Sequence, residues 1–267
     1  MADQKEYTLM DAEAEIRKQA ARIKQLQDKF LTMQEMFLSL SDSKVCNVGD
    51  EFSAMSPVEI FRVDGSEVTV IACAGLITRF GMPPREFLKS FYDKGCTVIF
   101  VKDFAQCWYQ KGLLSLSRNL KETAEVLTGL LPESTKTVRL TGTSAGGFAA
   151  IQLGVLMNAD KITAFAPQTR ILPQTYRTFA GADSRVEDIN FSNLDVDIKH
   201  TLDKNPNFSG EINIHFGKDS VADVNAARYL KDYDCVKLHP HDYDKHGISG
   251  YLRETGALTG VLEDLIS

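Results

Sequence analysis

The sequence predicts an α/β fold, a mostly parallel central sheet flanked by helices, carrying an N-terminal amphipathic helix of coiled-coil type. Three observations predict it. Short apolar runs bounded by glycine, proline and polar residues alternate with longer helix-like segments, as strands joined by crossover helices do. The run Val68-Thr69-Val70-Ile71-Ala72-Cys73 is almost wholly apolar or β-branched, which suits a strand buried on both faces. Between Val138 and Ala150 a β-rich run stops at Gly142, Ser144 follows, and small helix-forming residues take over.

From about Met10 to Leu40 the chain has neither proline nor glycine. Leu9, Ile16, Ile23, Phe30 and Phe37 recur every seven residues, and Ala12, Leu26, Met33 and Leu40 form the row three residues on, interrupted by Gln19. Such a narrow seam suits a coiled coil between subunits or an amphipathic helix packed within one chain. Residues 1–45 are therefore read as a separate segment, available for homo-oligomerisation, and 46–267 as the main domain. Strands are expected at Val58–Val63 and Glu67–Cys73, with Asp64-Gly65 as a hairpin-type turn between them. A helix at Arg85–Lys94, a strand at Thr97–Val101 and a helix from Ser115 to Leu131 follow, the last stopped by Pro132. Strand 136–140, helix 145–157 and strand 162–165 come next. The pattern then loosens over 168–210, a stretch read as a lid or insertion over the site. A strand at Glu211–Phe216, a helix at Val221–Lys231, a strand at Cys235–Leu238 and a closing helix at Gly250–Ile266 complete the domain.

Composition bounds the function. Hydrophobic residues make up 43% and charged residues 25% of the 267, the balance of an ordinary globular domain. A formal net charge of -6 offers no basic face for nucleic acid. No apolar run is long enough to span a bilayer and the first residues lack the apolar centre of a signal peptide, so a cytoplasmic location is expected. The five cysteines, Cys46, Cys73, Cys96, Cys107 and Cys235, lack paired spacing, and Cys73 and Cys96 read as small core residues.

The chemistry centres on Gly142-Thr143-Ser144-Ala145-Gly146. In a G-x-S-x-G turn the serine is held up at a strained backbone position, and glycines on either side let strand and helix pass closely. A serine hydroxyl needs a base to take its proton and a third group to orient that base. Of the five histidines, His246 alone lies in a flexible run just ahead of the final helix, and it is the candidate base. For the acid, Asp219 directly follows the strand ending at Gly217 and is preferred. Asp223 is the alternative, with a competing duty as a helix N-cap. The amides of Ala145 and Leu76 are the candidate oxyanion donors, with Ile77 in reserve. Asp103, at a strand end, reads more readily as a loop anchor than as a substrate contact. Trp108 and Tyr109 either line a substrate pocket or bury an amphipathic loop. No metal-binding or phosphate-loop pattern occurs, so neither metal nor organic cofactor is expected.

Nucleophile, acid and histidine in the order Ser144, Asp219, His246 resemble the α/β-hydrolase superfamily. The resemblance runs from about Val58 to the C-terminus. Ala74-Gly75-Leu76 resembles its oxyanion loop, though no histidine precedes Gly75, and Gly217-Lys218-Asp219 resembles its acid loop, one residue shorter than usual. More narrowly, Lys102-Asp103 with Trp108-Tyr109, Ala164 to Thr169, and His246-Gly247-Ile248 with Tyr251-Leu252 resemble a bacterial branch associated with polysaccharide biosynthesis, export or accessory secretion. The resemblance implies a serine esterase acting on a small-molecule or acylated-sugar ester. The alternatives are an acyltransferase using the same three groups and a non-catalytic interaction module.

Overall fold

A computed structural model describes residues 15–23, 25, 56–76, 80–113, 116–172 and 196–267. The chain separates into two compact units, Met1–Asp42 and Ser43–Ser267. In the first, residues 15–23 and 25 are helical, with Ile16 and Ile23 of the heptad seam exposed. The rest of the seam, Cys46 and Ile77 lie outside the described residues.

The second unit is built on a seven-stranded sheet. Its strands are β1 (Val58–Phe61), β2 (Val68–Cys73), β3 (Thr97–Val101), β4 (Thr137–Thr143), β5 (Lys161–Phe165), β6 (Glu211–Gly217) and β7 (Val236–His241). They lie in the order β1-β3-β2-β4-β5-β6-β7, all parallel except β1, which runs antiparallel to β3. The hairpin expected between β1 and β2 does not form. Asp64-Gly65 does turn, with Gly65 at φ +71°, but it carries the chain past β3 rather than back along β1. The reason lies in β2, whose residues from Thr69 to Cys73 are buried. A strand apolar on both faces is stable only at the centre of a covered sheet, and β3 and β4 take both of its edges.

The helices are α1 (Pro84–Tyr92), α2 (Leu120–Gly129), α3 (Ala145–Leu156), α4 (Ile198–Lys204), α5 (Val221–Arg228), α6 (Ile248–Glu254) and α7 (Leu258–Ile266). Every residue of α3 from Ala145 to Val155 is buried, because the helix is pressed between the sheet and its neighbours α2 and α4. That explains its lack of any polar face. On this side Ile71, Leu140, Ile162, Ile212 and Ile214 meet Phe148 and Ile151 in one apolar core. The other face is covered by α1, α6 and α7, where Phe80 stacks on Phe87 with ring centroids 4.4 Å apart.

Two expected helices are shorter than the sequence implied. The helix before β4 begins at Leu120, where the Asn119 side chain accepts from the Glu122 amide and caps it. The closing helix is two, since Gly256 at φ +77° breaks it between α6 and α7. Cys73 and Cys96 are buried free thiols. Of the stretch 168–210, residues 173–195 lie outside those described. Its described parts are the run Gln168–Leu172 and residues 196–210, which include α4, and an antiparallel bridge joins Arg170 to Asp197. Among the described residues no helix is long and apolar enough to cross a membrane.

Candidate active site

The turn from β4 into α3 has the close packing that its two glycines imply. A Cβ on Gly142 would sit 2.2 Å from the Gly146 carbonyl oxygen, and one on Gly146 would sit 2.1 Å from that of Cys73. Neither position has room for a side chain. Between them Ser144 adopts φ +56°, ψ -117°, a strained conformation for a residue with a side chain. Its amide still donates to Phe165 of β5 at 2.8 Å and its carbonyl already accepts from Phe148 at 3.0 Å, so strand and helix are both continuous into the turn. The side chain stands partly exposed at the C-terminal edge of the sheet, where open α/β sheets place their ligands.

Two loops bring the other groups there. The backbone pairing of β6 with β7 continues beyond the strands: the Lys218 amide donates to His241 at 2.9 Å and the Asp219 amide to Tyr243 at 3.2 Å. Gly217 is needed at this point, since a Cβ would come within 2.5 Å of the Tyr243 carbonyl oxygen. From the second loop His246 reaches Ser144, with Nε2 2.8 Å from Oγ. The start of α6 is pinned nearby, because the buried Ser249 hydroxyl donates to the Phe80 carbonyl at 2.6 Å.

The carboxylate at the imidazole is Asp223, not the Asp219 preferred from the sequence. Asp223 Oδ1 lies 2.7 Å from His246 Nδ1. Asp219 is exposed within the turn that follows β6, too early in the chain to face inward. Asp223 is one turn further on, and with Ala227 it forms the buried side of α5. The expected capping duty also falls away, for the N-cap is Ser220 and Asp223 sits in the first helical turn. The missed signal was a carboxylate on the apolar stripe Asp223, Ala227, Leu230.

Proton positions follow from the donor inventory. A carboxylate only accepts, so Nδ1 of His246 carries the proton and Nε2 accepts from the Ser144 hydroxyl. Asp223 is 5% exposed and its Oδ2 has no hydrogen-bond partner among the described residues, so its charge is poorly screened where it meets the ring. His246, with 42% of its side chain exposed, opens onto solvent.

The remaining sequence candidates fall around this line. Ala145 opens α3, so its amide is one of the four at a helix start that have no partner within the helix. The Ala74-Gly75-Leu76 turn abuts it, since Gly146 packs directly on the Cys73 and Ala74 carbonyls. Trp108 and Tyr109 are 1% and 0% exposed, so they are buried rather than solvent-facing. The Tyr109 hydroxyl lies 2.9 Å from the carbonyl oxygens of both Ala74 and Val101 and ties the ends of β2 and β3 together. Asp103 is the loop anchor its position implied: its carboxylate accepts from the amides of Cys107 at 2.6 Å and Tyr109 at 2.9 Å. Burial raises its pKa to about 6, against the opposing pull of those amides.

One group at the site was given no role by the sequence reading. Gln168 Nε2 is 3.0 Å from Ser144 Oγ, and Gln168 Oε1 accepts from Trp108 Nε1 at 3.1 Å. Gln168 lies within the Ala164–Thr169 run that carries the narrower resemblance, but three residues beyond a strand its spacing to Ser144 gives it no role. A cleft of about 270 Å³ opens beside His246, walled by Pro167, Gln168, Thr169, Asp223, Ala226 and Tyr229. Among the described residues no group of three or more His, Cys, Asp or Glu side chains is arranged to hold a metal ion.

No protein-family model matches the chain, and no curated protein sequence matches it. Solved structures do. The chain is similar to an α/β hydrolase, MGS-MChE2, from the metagenome of sediments of the Mar Chica lagoon, Morocco, at 15% identity and a TM-score of 0.53, over 82% of this chain and 96% of that one. It is similar to the Pyrococcus furiosus esterase Pf2001 at 15% identity and a TM-score of 0.52, over 79% and 88%. A third likeness is to the capsule O-acetyltransferase of Neisseria meningitidis serogroup A, at 18% identity and a TM-score of 0.50, over 76% and 92%. The chain has the α/β-hydrolase fold.

Proposed function

We propose that the protein is an acyl hydrolase or acyltransferase acting on a carboxylic ester through Ser144, His246 and Asp223. The observation that carries this reading is the unbroken line from Ser144 Oγ to His246 Nε2 at 2.8 Å and from His246 Nδ1 to Asp223 Oδ1 at 2.7 Å. It starts from a serine held at φ +56° in the turn between β4 and α3. Oγ attacks the ester carbonyl while Nε2 takes its proton, and Asp223 stabilises the imidazolium that results. The amides of Ala145 and Leu76 receive the oxyanion. The alcohol departs with the proton from His246, leaving an acyl group on Ser144.

The same three groups serve an esterase, with water as the second reactant, and an acyltransferase, with a sugar hydroxyl. The likeness to a capsule O-acetyltransferase and the open cleft beside His246 support an acylated sugar as one substrate class. Residues 1–45 are proposed as an oligomerisation segment. Their removal then lowers the sedimentation coefficient beyond the loss of mass, whereas an unchanged assembly assigns the helix to packing within one chain.

A fluorophosphonate probe tests the central claim. Ser144 should be labelled in the folded chain and Ser144→Ala should not be, with hydrolysis of short nitrophenyl esters lost in step. A folded chain that the probe leaves unmodified would leave only a non-catalytic module.

A further inference from the structure

Gln168 is held far more firmly than a residue beyond the end of a strand requires. Trp108 fixes it, and an indole N–H only donates, so the glutamine oxygen faces the ring and the NH2 faces Ser144. Trp108 is itself locked. It and Tyr109 adopt φ +55° and +60°, strain that persists only where the surroundings enforce it. Here the Asp103 carboxylate grips the amides on either side of Trp108, and the Tyr109 hydroxyl clamps two strand ends.

In the resting site a single hydroxyl, Ser144 Oγ, donates a hydrogen bond to His246 Nε2 at 2.8 Å and accepts one from Gln168 Nε2 at 3.0 Å. The glutamine oxygen, 3.4 Å from Oγ, is the more distant rival for that proton. Once Oγ is acylated it has no proton to give and is a poor acceptor, so both partners are released. Gln168 and His246 border the same cleft. A second hydroxyl oxygen arriving there meets the same acceptor and donor that held the first.

Resting on the proposed acyl-enzyme, we propose that the Gln168 amide orients the water or alcohol oxygen that resolves it, with Trp108 as the positioning residue behind Gln168. In that step the incoming oxygen forms a bond to the acyl carbon as its proton passes to His246 Nε2. The bond from that carbon to Ser144 Oγ then breaks, and Oγ recovers the proton from His246. The product is a free acid when the reactant is water and a new ester when it is an alcohol.

The test uses the full chain acylated with nitrophenyl acetate. The nitrophenolate burst reads acylation, and intact mass after removal of free ester reads the lifetime of the acyl adduct. Gln168→Ala and Gln168→Glu should each lengthen the adduct's life about ten- to a hundredfold more than they slow the burst, the range for losing one transition-state contact. Trp108→Phe, which frees the amide to turn, should give a smaller lengthening and change the ratio of methanolysis to hydrolysis. Unchanged lifetimes in both Gln168 variants, or burst and decay slowed in equal proportion, would overturn the proposal while leaving the serine mechanism standing. Absence of any adduct on the unsubstituted chain would overturn both.

Discussion

Two sets of histidines lie at the same edge of the sheet and differ in what surrounds them. His246 stands on the loop after β7 between a hydroxyl and a buried carboxylate, half open to solvent. His215 of β6 and His239 and His241 of β7 lie on the sheet itself and have chiefly one another. His215 Nδ1 is 3.0 Å from His241 Nε2, the His215 and His239 rings stack at 4.5 Å, and His239 Nε2 is 2.7 Å from Asn213 Oδ1. Burial, and then the neighbouring rings, pull the His215 pKa down to about 3. The contrast teaches that an imidazole becomes a candidate base through its partners. Burial, and then a crowd of imidazoles, keeps the His215 ring neutral, whereas His246 is partly exposed and has a hydroxyl at one nitrogen and a carboxylate at the other.

The largest break in that comparison comes from its chemical side. His246→Ala should lower ester turnover by at least about 10⁴-fold, as removal of a triad member does elsewhere. His241→Gln, in the sheet cluster, should leave steady-state turnover within about threefold. Equal losses would mean that His246 is no more catalytic than the cluster.

The next effect separates the two carboxylates. Asp223→Asn should cost on the order of 10³- to 10⁴-fold in kcat, because an amide permits the wrong ring tautomer. Asp219→Asn should cost almost nothing, since the side chain is exposed and the backbone amide that donates to Tyr243 is unchanged. A larger loss at Asp219 would reverse the assignment.

A smaller effect appears in stability against pH. His215 has a folded pKa below its ordinary 6.5, so the native state binds fewer protons than the unfolded chain between those values. The stabilising contribution is complete above about pH 6.5 and is lost as pH falls toward 3, at up to about 1.4 kcal/mol per pH unit. His215→Phe should flatten the acid side of a plot of Tm against pH, and an unaltered slope would place the proton uptake elsewhere.

The smallest effect concerns the anchor behind Trp108. Asp103→Ala strands two buried amides and should cost about 1–3 kcal/mol in denaturant unfolding. Asp103→Asn, which keeps an acceptor and removes a buried charge, should cost less, and more so above pH 6, where the native carboxylate is ionised against its burial. Equal losses would show that the charge, rather than the acceptor, holds the loop.

Legibility differed from one part of the site to another for identifiable reasons. Gly142, Ser144 and Gly146 could be read because the constraint is local: the backbone crossing that excludes a Cβ is made by residues within a few positions of one another and the adjoining strand. His246 could be read because it was the one histidine in a loop ahead of a closing helix. Asp219 and Asp223 could not be ranked by order alone. The choice turned on which side of α5 faces β6, and that depends on how the helix docks. Gln168 and Trp108 are 60 residues apart, and nothing in either neighbourhood announces their hydrogen bond. Trp108 and Tyr109 were open between pocket wall and buried anchor, a question that burial answers and composition does not.

The linear chain settled the strand and helix order, the burial of β2 on both faces and the serine turn, since periodicity, apolar runs and glycine spacing act over a few residues at a time. Folding decided which strand β1 pairs with, which aspartate meets the imidazole and which amide meets the hydroxyl. Those outcomes are set by distances of about 3 Å between groups far apart in sequence, and such distances exist only once the sheet has formed and its helices have packed.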